Sequence, residues 1–150
     1  MTQLAMATTL RFFAGNTDVF KWQNFWVDKE VGGFSFHSFQ TSDIYFNRTV
    51  DEGGLAIEMA LTQQNLDYME AAINEAFLIE VEIYEFDVDA GLPTDLAAGT
   101  MVARFIGEAI EMSCDLTTLN VSIGAGIDAV TEDIPGRKFT TSLVGRLPVL

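Results

Sequence analysis

Residues 115–124 read DLTTLNVSIG. Within them Leu119, Val121 and Ile123 alternate with polar residues, which is the period-two pattern of a strand with one buried face. The connector that follows contains no His, Cys or Ser, and it leads to IPGRKFT at residues 134–140. The whole tail therefore favours a packing or docking segment over an active site.

The same alternation continues upstream of this tail. Apolar residues recur at every second position in residues 55–61 and again in residues 79–83. The turn sequence GNTD at residues 15–18 separates two apolar arms, which predicts an N-terminal hairpin at about residues 8–31. Gly107 interrupts another strand, so we expect a bulge or sharp bend there.

One segment has the period of a helix instead. Thr62 is a suitable N-cap for a helix over residues 63–76. Apolar residues three or four positions apart form one stripe along this helix. This core-facing stripe consists of Leu66, Met69, Ile73 and Ala76.

The order of these elements predicts the fold class. About five strands precede the helix and three follow it, without the repeated strand-helix units of a doubly wound parallel sheet. We expect a mostly β, α+β protein: an antiparallel β-sandwich or a partly open barrel flanked by one α-helix. A length of 150 residues indicates one domain, residues 1–150, with a C-terminal arm at about residues 131–150.

Charge and composition exclude several classes of protein. The net charge is -14, and the eight Lys and Arg residues are scattered, so no basic stripe is available for specific nucleic-acid binding. A channel wall of this sign would repel passing DNA and keep it from sticking, although an acidic surface also keeps many soluble proteins monodisperse. No apolar run is long enough to span a bilayer, and the first ten residues lack the charge pattern of a signal peptide. These features predict a protein made in a cytoplasm, without a membrane partner.

Candidate catalytic and metal-binding residues are few. His37 is the sequence's one histidine, and we interpret it as structural because no second ring can complete a metal site. Cys114, the one cysteine, is expected to be a buried, inert thiol. Residues 87–91, DVDAG, begin like a calcium loop but lack its glycine spacing and its terminal Glu. We therefore expect no enzyme activity, no cofactor and no metal.

Two groups of residues are candidates for a protein interface. The aromatic residues of the first hairpin could stack on sugars, line an apolar pocket, belong to the core or form an interface, where Trp is enriched. The Arg137-Lys138 pair suits an ionic contact with a neighbouring acidic subunit, although solvation of exposed charges also explains it. The interface candidates are Trp22, Phe25, Trp26, Arg137, Lys138 and Phe139.

A family resemblance covers residues 30–148. Its pieces are GFSFH at residues 33–37, a strand at 54–61, a helix at 63–76, a strand at 77–86 and IGE at 106–108, followed by the tail quoted above. In this order they resemble the β-domain of phage tail-tip and hub proteins, the group that contains the lambda minor tail protein L and the gene transfer agent hub. Many of these relatives bear an iron-sulfur segment. One cysteine cannot supply four thiolates, so that cluster is not implied here.

The resemblance implies a structural role in a virion tail. It indicates a hub or adaptor at the distal end of the tail tube, assembled in the host cytoplasm, that joins the tube to the baseplate or tail tip by ring assembly. Its partners would be tube, hub and fibre proteins and further copies of the chain, with DNA passing through the ring. The residues themselves leave open an alternative, a cytoplasmic β-barrel that binds a small ligand among its aromatic side chains.

Overall fold

The computed structural model describes residues 3–25, 27–42, 45–46, 53–89 and 99–125. Within them the chain forms nine strands and one helix. In chain order these are β1 (Leu4–Ala14), β2 (Thr17–Gln23), β3 (Ser35–Phe36), β4 (Phe39–Thr41), β5 (Tyr45–Phe46), β6 (Gly53–Ala60), α1 (Gln63–Asn74), β7 (Leu78–Asp87), β8 (Thr100–Cys114) and β9 (Thr118–Ala125). The expected α+β class with one helix is confirmed.

All the strands belong to one sheet. Its order is β3-β2-β1-β7-β8-β9-β6-β4, and β5 pairs with β6 off this path. The two ends of the path, β3 and β4, are joined by only two residues, so they lie within about 10 Å of each other. The sheet therefore curls round into a partly open barrel. Its pairings are antiparallel except that between β2 and β3, which is parallel.

Asn24 connects the two ends of the curled sheet. Its backbone N–H donates to the Thr8 carbonyl over 3.2 Å, and its side-chain Oδ1 accepts from the Thr8 N–H over 2.9 Å. Its Nδ2 donates to the carbonyl of Phe39 in β4 over 3.4 Å. We call the place where the β3 and β4 ends of the sheet meet the seam. The Asn24 side chain thus bonds a strand on each side of the seam.

The core fills the inside of this curl. It comprises the inward side chains of the strands together with one face of α1, and the fully buried members include Leu10, Phe12, Ile57, Met69, Ile79, Val81, Leu119 and Val121. The helix packs against β8 and β9, while its Tyr68 ring lies 5.1 Å from the Phe20 ring of β2. The alternation predicted for Leu119, Val121 and Ile123 is confirmed, since all three are buried.

The helix begins as the sequence predicts. The Thr62 side chain accepts a hydrogen bond from the Asn65 N–H over 3.1 Å, which satisfies one of the unpaired donors of the first turn. The predicted end is wrong, because α1 stops at Asn74 and Ala76 has a φ of 50°. Of the predicted stripe, Met69 is buried, Leu66 and Ile73 are partly buried, and Ala76 is exposed. The other buried helix residues are Asn65 and Ala72.

Three further expectations need correction or lie outside the described residues. Cys114 is exposed at the end of β8, and not buried. The bulge expected at Gly107 lies between Ala109 and Glu111 in the pairing of β8 with β9. The C-terminal arm at 131–150 is outside the described residues.

Candidate interaction surfaces

The structure separates the aromatic residues proposed as an interface. Trp22 is 6% exposed, and its ring contacts those of Phe12, Phe20 and His37 at centroid distances of 5.2, 4.8 and 4.0 Å. Phe25 is partly buried, with its ring edge-on to Phe86 at 4.9 Å. Trp22 is therefore a core residue that leaves little surface for a partner.

The other four interface candidates lie outside the described residues: Trp26, Arg137, Lys138 and Phe139. Their assignment to an interface stays a prediction.

A network of ion pairs crosses the outer face of four neighbouring strands. Arg11 in β1 donates from Nε to Asp18 in β2 over 2.5 Å and from Nη1 to Glu80 in β7 over 3.0 Å. Arg104 in β8 donates to the other oxygen of Glu80 over 2.6 Å and lies 3.4 Å from Glu82. Each strand is thus tied to the next by side chains as well as by the backbone ladder.

The carboxylate at the centre of this network is buried. Glu80 is 5% exposed, although the sequence alternation places it on the outward face of β7. The two guanidinium groups cover it and occupy both of its oxygens, which offsets the cost of removing a charge from water. Asp18 first, and then Glu80, raise the pKa of Arg11 above its ordinary value, although burial opposes them. The network is a structural brace and leaves no carboxylate oxygen of Glu80 for a ligand.

Tyr84 extends the same face toward the far end of β7. Its hydroxyl donates to Glu82 over 2.5 Å. Burial and this hydrogen bond raise the pKa of Tyr84 to about 12, so the phenol keeps its proton at neutral pH.

His37 lies at the barrel seam, between β3 and β4. Its ring stacks on Trp22, and its Nε2 is buried without a hydrogen-bond partner. Burial lowers the pKa of His37, and the nearby polar side chain of Asn65 opposes this effect. In the described part of the chain, no three His, Cys, Asp or Glu side chains come together as metal ligands. These contacts favour the structural interpretation of His37.

A small depression lies near the other side of the seam. It has a volume of about 270 Å³ and is lined by Ser38, Phe39, Gln40, Glu58, Met59, Ala60, Thr117 and Thr118. This volume is just below the range of typical small-molecule pockets, and five of the eight lining residues are polar or charged. Glu58 is the one charged residue among these eight.

Exposed apolar side chains mark a surface that the sequence pattern did not reveal. Leu4 and Met6 in β1 are 62% and 59% exposed. They have the same strand parity as the buried residues Leu10 and Phe12, so alternation alone assigns all four to the core. What differs is the surroundings, because Leu10 and Phe12 belong to the core cluster that includes Met69 of the helix, whereas Leu4 and Met6 do not.

Comparisons with known proteins identify the fold and not the family. No protein-family model matches the chain, and no curated protein matches it. The fold is similar to that of one chain in the solved structure "Virion of native gene transfer agent (GTA) particle", with a TM-score of 0.53 and 14% sequence identity. The match covers 85% of this chain and 41% of that chain, so this chain spans less than half the length of its structural neighbour. Among the described residues, no helix is long and apolar enough to cross a membrane.

Proposed function

We propose that this chain is a structural component of a phage-like virion, and specifically a hub or adaptor at the distal end of a tail tube. The observation that carries the proposal is the likeness in fold to a chain of a gene transfer agent virion over 85% of the present chain. The sequence resemblance to the β-domain of tail-tip and hub proteins supports the same role. The chain would join the tube to the baseplate or tail tip and be assembled in the host cytoplasm.

Ring assembly is the proposed mechanism. Copies would contact one another head-to-tail, and a rotation that closes on itself would give a ring without free contact surfaces. Each contact would bury on the order of 1,000 Å² or more. The net charge of -14 would give a channel wall that repels DNA during its passage. Neither enzyme activity nor a cofactor is part of this proposal.

The ligand-binding alternative is less favoured. The described interior of the barrel is filled by side chains of the core, among them Leu10, Ile57, Met69 and Val121, which are 0% exposed. A small ligand would have to displace them.

Affinity purification from the cells that produce the protein tests the role directly. We expect a tagged full-length chain to co-purify with tube, tape-measure or fibre-like proteins, identified by mass spectrometry. A chain truncated after Val130 keeps every residue of β1 to β9 and α1, so it should remain folded while failing to enter tails. A monomer recovered with a bound small molecule would overturn the tail proposal, and intact tails containing the truncated chain would exclude a role for the arm.

A further inference from the structure

One edge of β1 has no strand beside it in the described part of the chain. β1 pairs with β7 from Leu4 to Phe13, but its pairing with β2 reaches only from Ala14 to Thr9. Among the described residues, Leu4–Ala7 therefore have a strand on one side and none on the other, and we call this side the open edge.

The backbone groups that face this edge follow from the hydrogen bonds of Thr8. Thr8 exchanges both of its backbone groups with Asn24, so it faces the β2 side. Alternate residues of an antiparallel strand face the same side. The N–H and C=O groups of Leu4 and Met6 therefore face the open edge, and no described residue bonds them. The carbonyl of Gln3 accepts from the Val88 N–H on the β7 side, as this alternation requires.

The side chains at this edge are apolar and exposed. Leu4 and Met6 are 62% and 59% exposed. An edge that offers free backbone groups beside exposed apolar side chains is a template for an added strand. Asn24 occupies the backbone groups of Thr8, so the template ends there.

The charges around the edge indicate what kind of strand it accepts. Glu85 is the cross-strand neighbour of Met6, and Asp87 is that of Leu4. An added strand would lie two strand spacings from them, about 10 Å, which is within reach of long side chains and about one Debye length. A second copy would bring a further charge of -14 to this edge. Charge complementarity therefore favours a basic partner.

We propose that the Leu4–Ala7 edge accepts an extended segment of another protein, whose apolar side chains contact Leu4 and Met6 and whose basic side chains face Glu85 and Asp87. The inference rests on the proposed function in one respect, that the segment would belong to a neighbouring tail protein. Copies of this chain would meet through other surfaces in the ring.

Peptide binding to the full-length chain tests the edge without any tail protein. The probe is a six-residue peptide that alternates lysine and valine, and the measurement is amide hydrogen exchange by NMR. At about ten times the Kd, exchange at Leu4 and Met6 should slow about tenfold. The amides of Ala5 and Ala7, which face β7, are the internal reference and should not change. A peptide that alternates glutamate and valine should bind more weakly.

Backbone-modified peptides and edge variants distinguish strand addition from other binding. The same lysine-valine peptide with N-methyl groups at alternate residues cannot form the ladder, so it should give no protection. Met6→Pro removes an edge-facing N–H that is not bonded to β7, which an edge strand tolerates, and should abolish protection by the unmodified peptide. Met6→Lys keeps the backbone and should weaken binding of the lysine-valine peptide. Val102→Lys, at another exposed site, should not change it.

Three outcomes would overturn the proposal. No protection at millimolar lysine-valine peptide, or equal protection by its N-methylated form, would overturn it. Self-association of the unmodified chain that Met6→Lys abolishes would assign the edge to a second copy and also overturn it. Peptide binding without co-purifying tail proteins would contradict the proposed function and leave the docking edge standing. Co-purifying tail proteins without peptide binding would support the proposed function and contradict the docking edge.

Discussion

The imidazole of His37 lies flat against the indole of Trp22, with ring centroids 4.0 Å apart and planes 13° apart. The stack joins the seam of the barrel to its core, since His37 lies between β3 and β4 and Trp22 belongs to β2. Burial lowers the pKa of His37 in the folded chain, so a proton binds the unfolded state more readily than the folded one.

Acid should weaken the fold through this residue. The folded pKa of His37 lies below the ordinary value of 6.5, so its contribution to the free energy of unfolding is complete above that value. The contribution is lost as pH falls from 6.5 to the folded pKa. Urea unfolding at pH 7.5 and pH 5.5 measures this loss. His37→Phe keeps a flat ring on Trp22 without a titrating group, and it should show a smaller difference between the two pH values; an unchanged difference would exclude His37 as its source.

The buried carboxylate of Glu80 should contribute more to the free energy of unfolding than the exposed carboxylates near it. Glu80→Gln removes the charge between Arg11 and Arg104, whose side chains are partly exposed and can be rehydrated, so we expect a cost of about 1–3 kcal/mol in the free energy of unfolding. Thermal unfolding at low and high salt measures it. The loss should persist at high salt because the carboxylate is buried.

A double-mutant cycle isolates the pair. Arg104→Gln alone, Glu80→Gln alone and both together give the coupling between the two side chains, which we expect to be on the order of 1 kcal/mol. Glu85→Gln on the same strand has no ion pair in the described structure and serves as the control. A coupling near zero would contradict the brace assigned to Glu80.

The exposed position of Cys114 predicts its behaviour toward thiol reagents. Because the side chain is exposed at the end of β8, a maleimide should label one thiol per folded chain without denaturant. Mass spectrometry counts the label, and circular dichroism checks that the labelled chain keeps its fold. Labelling that requires urea would mean that the thiol is buried, contrary to its exposed position at the end of β8.

Local patterns predicted the parts of this fold that depend on neighbouring residues. The alternation of Leu119, Val121 and Ile123 defined β9, and Thr62 marked the start of α1, because both signals lie within a few residues of the element. Glu80 is a residue whose burial such local patterns do not predict. Its partners Arg11 and Arg104 are 69 and 24 residues away, so no local pattern reveals that an outward carboxylate is buried.

The candidate surfaces were harder to predict for the same reason. The sequence could not decide whether Trp22 is core or interface, because its neighbours Phe12 and His37 come from other elements. The open edge at Leu4 and Met6 depends on where β2 stops pairing with β1, which the apolar pattern of β1 does not contain. The parallel pairing of β2 with β3 likewise differs from the antiparallel sheet that we expected.

Gly107 should be the glycine of β8 that tolerates no side chain. A Cβ at Gly107 would lie 2.0 Å from the carbonyl oxygen of Gly124 in β9, so Gly107→Ala must push two paired strands apart. We expect a loss of about 1–3 kcal/mol or more in the free energy of unfolding, measured by urea denaturation.

Gly124→Ala is the matched control for this substitution. Its Cβ would meet Ile110 Cδ1 at 3.2 Å, the end of an exposed side chain that can rotate away. The cost should therefore be below about 1 kcal/mol. Equal losses for the two variants would contradict the close approach of β8 and β9 at Gly107.

Both side-chain hydrogen bonds of Asn24, one to Thr8 and one to Phe39, should stabilise the fold at the seam. Asn24→Ala leaves the buried Thr8 N–H and the Phe39 carbonyl without their partner, at a cost of about 1–3 kcal/mol in the free energy of unfolding. Asn24→Asp keeps an acceptor for Thr8 but places a carboxylate against the Phe39 carbonyl. Amide exchange should therefore accelerate at Thr8 in Asn24→Ala only, while both variants lose stability. Fast exchange at Thr8 in Asn24→Asp would show that the acceptor for the Thr8 N–H depends on the bond to β4. If Asn24→Ala and Asn24→Asp were both as stable as the unmodified chain, the seam would close without Asn24.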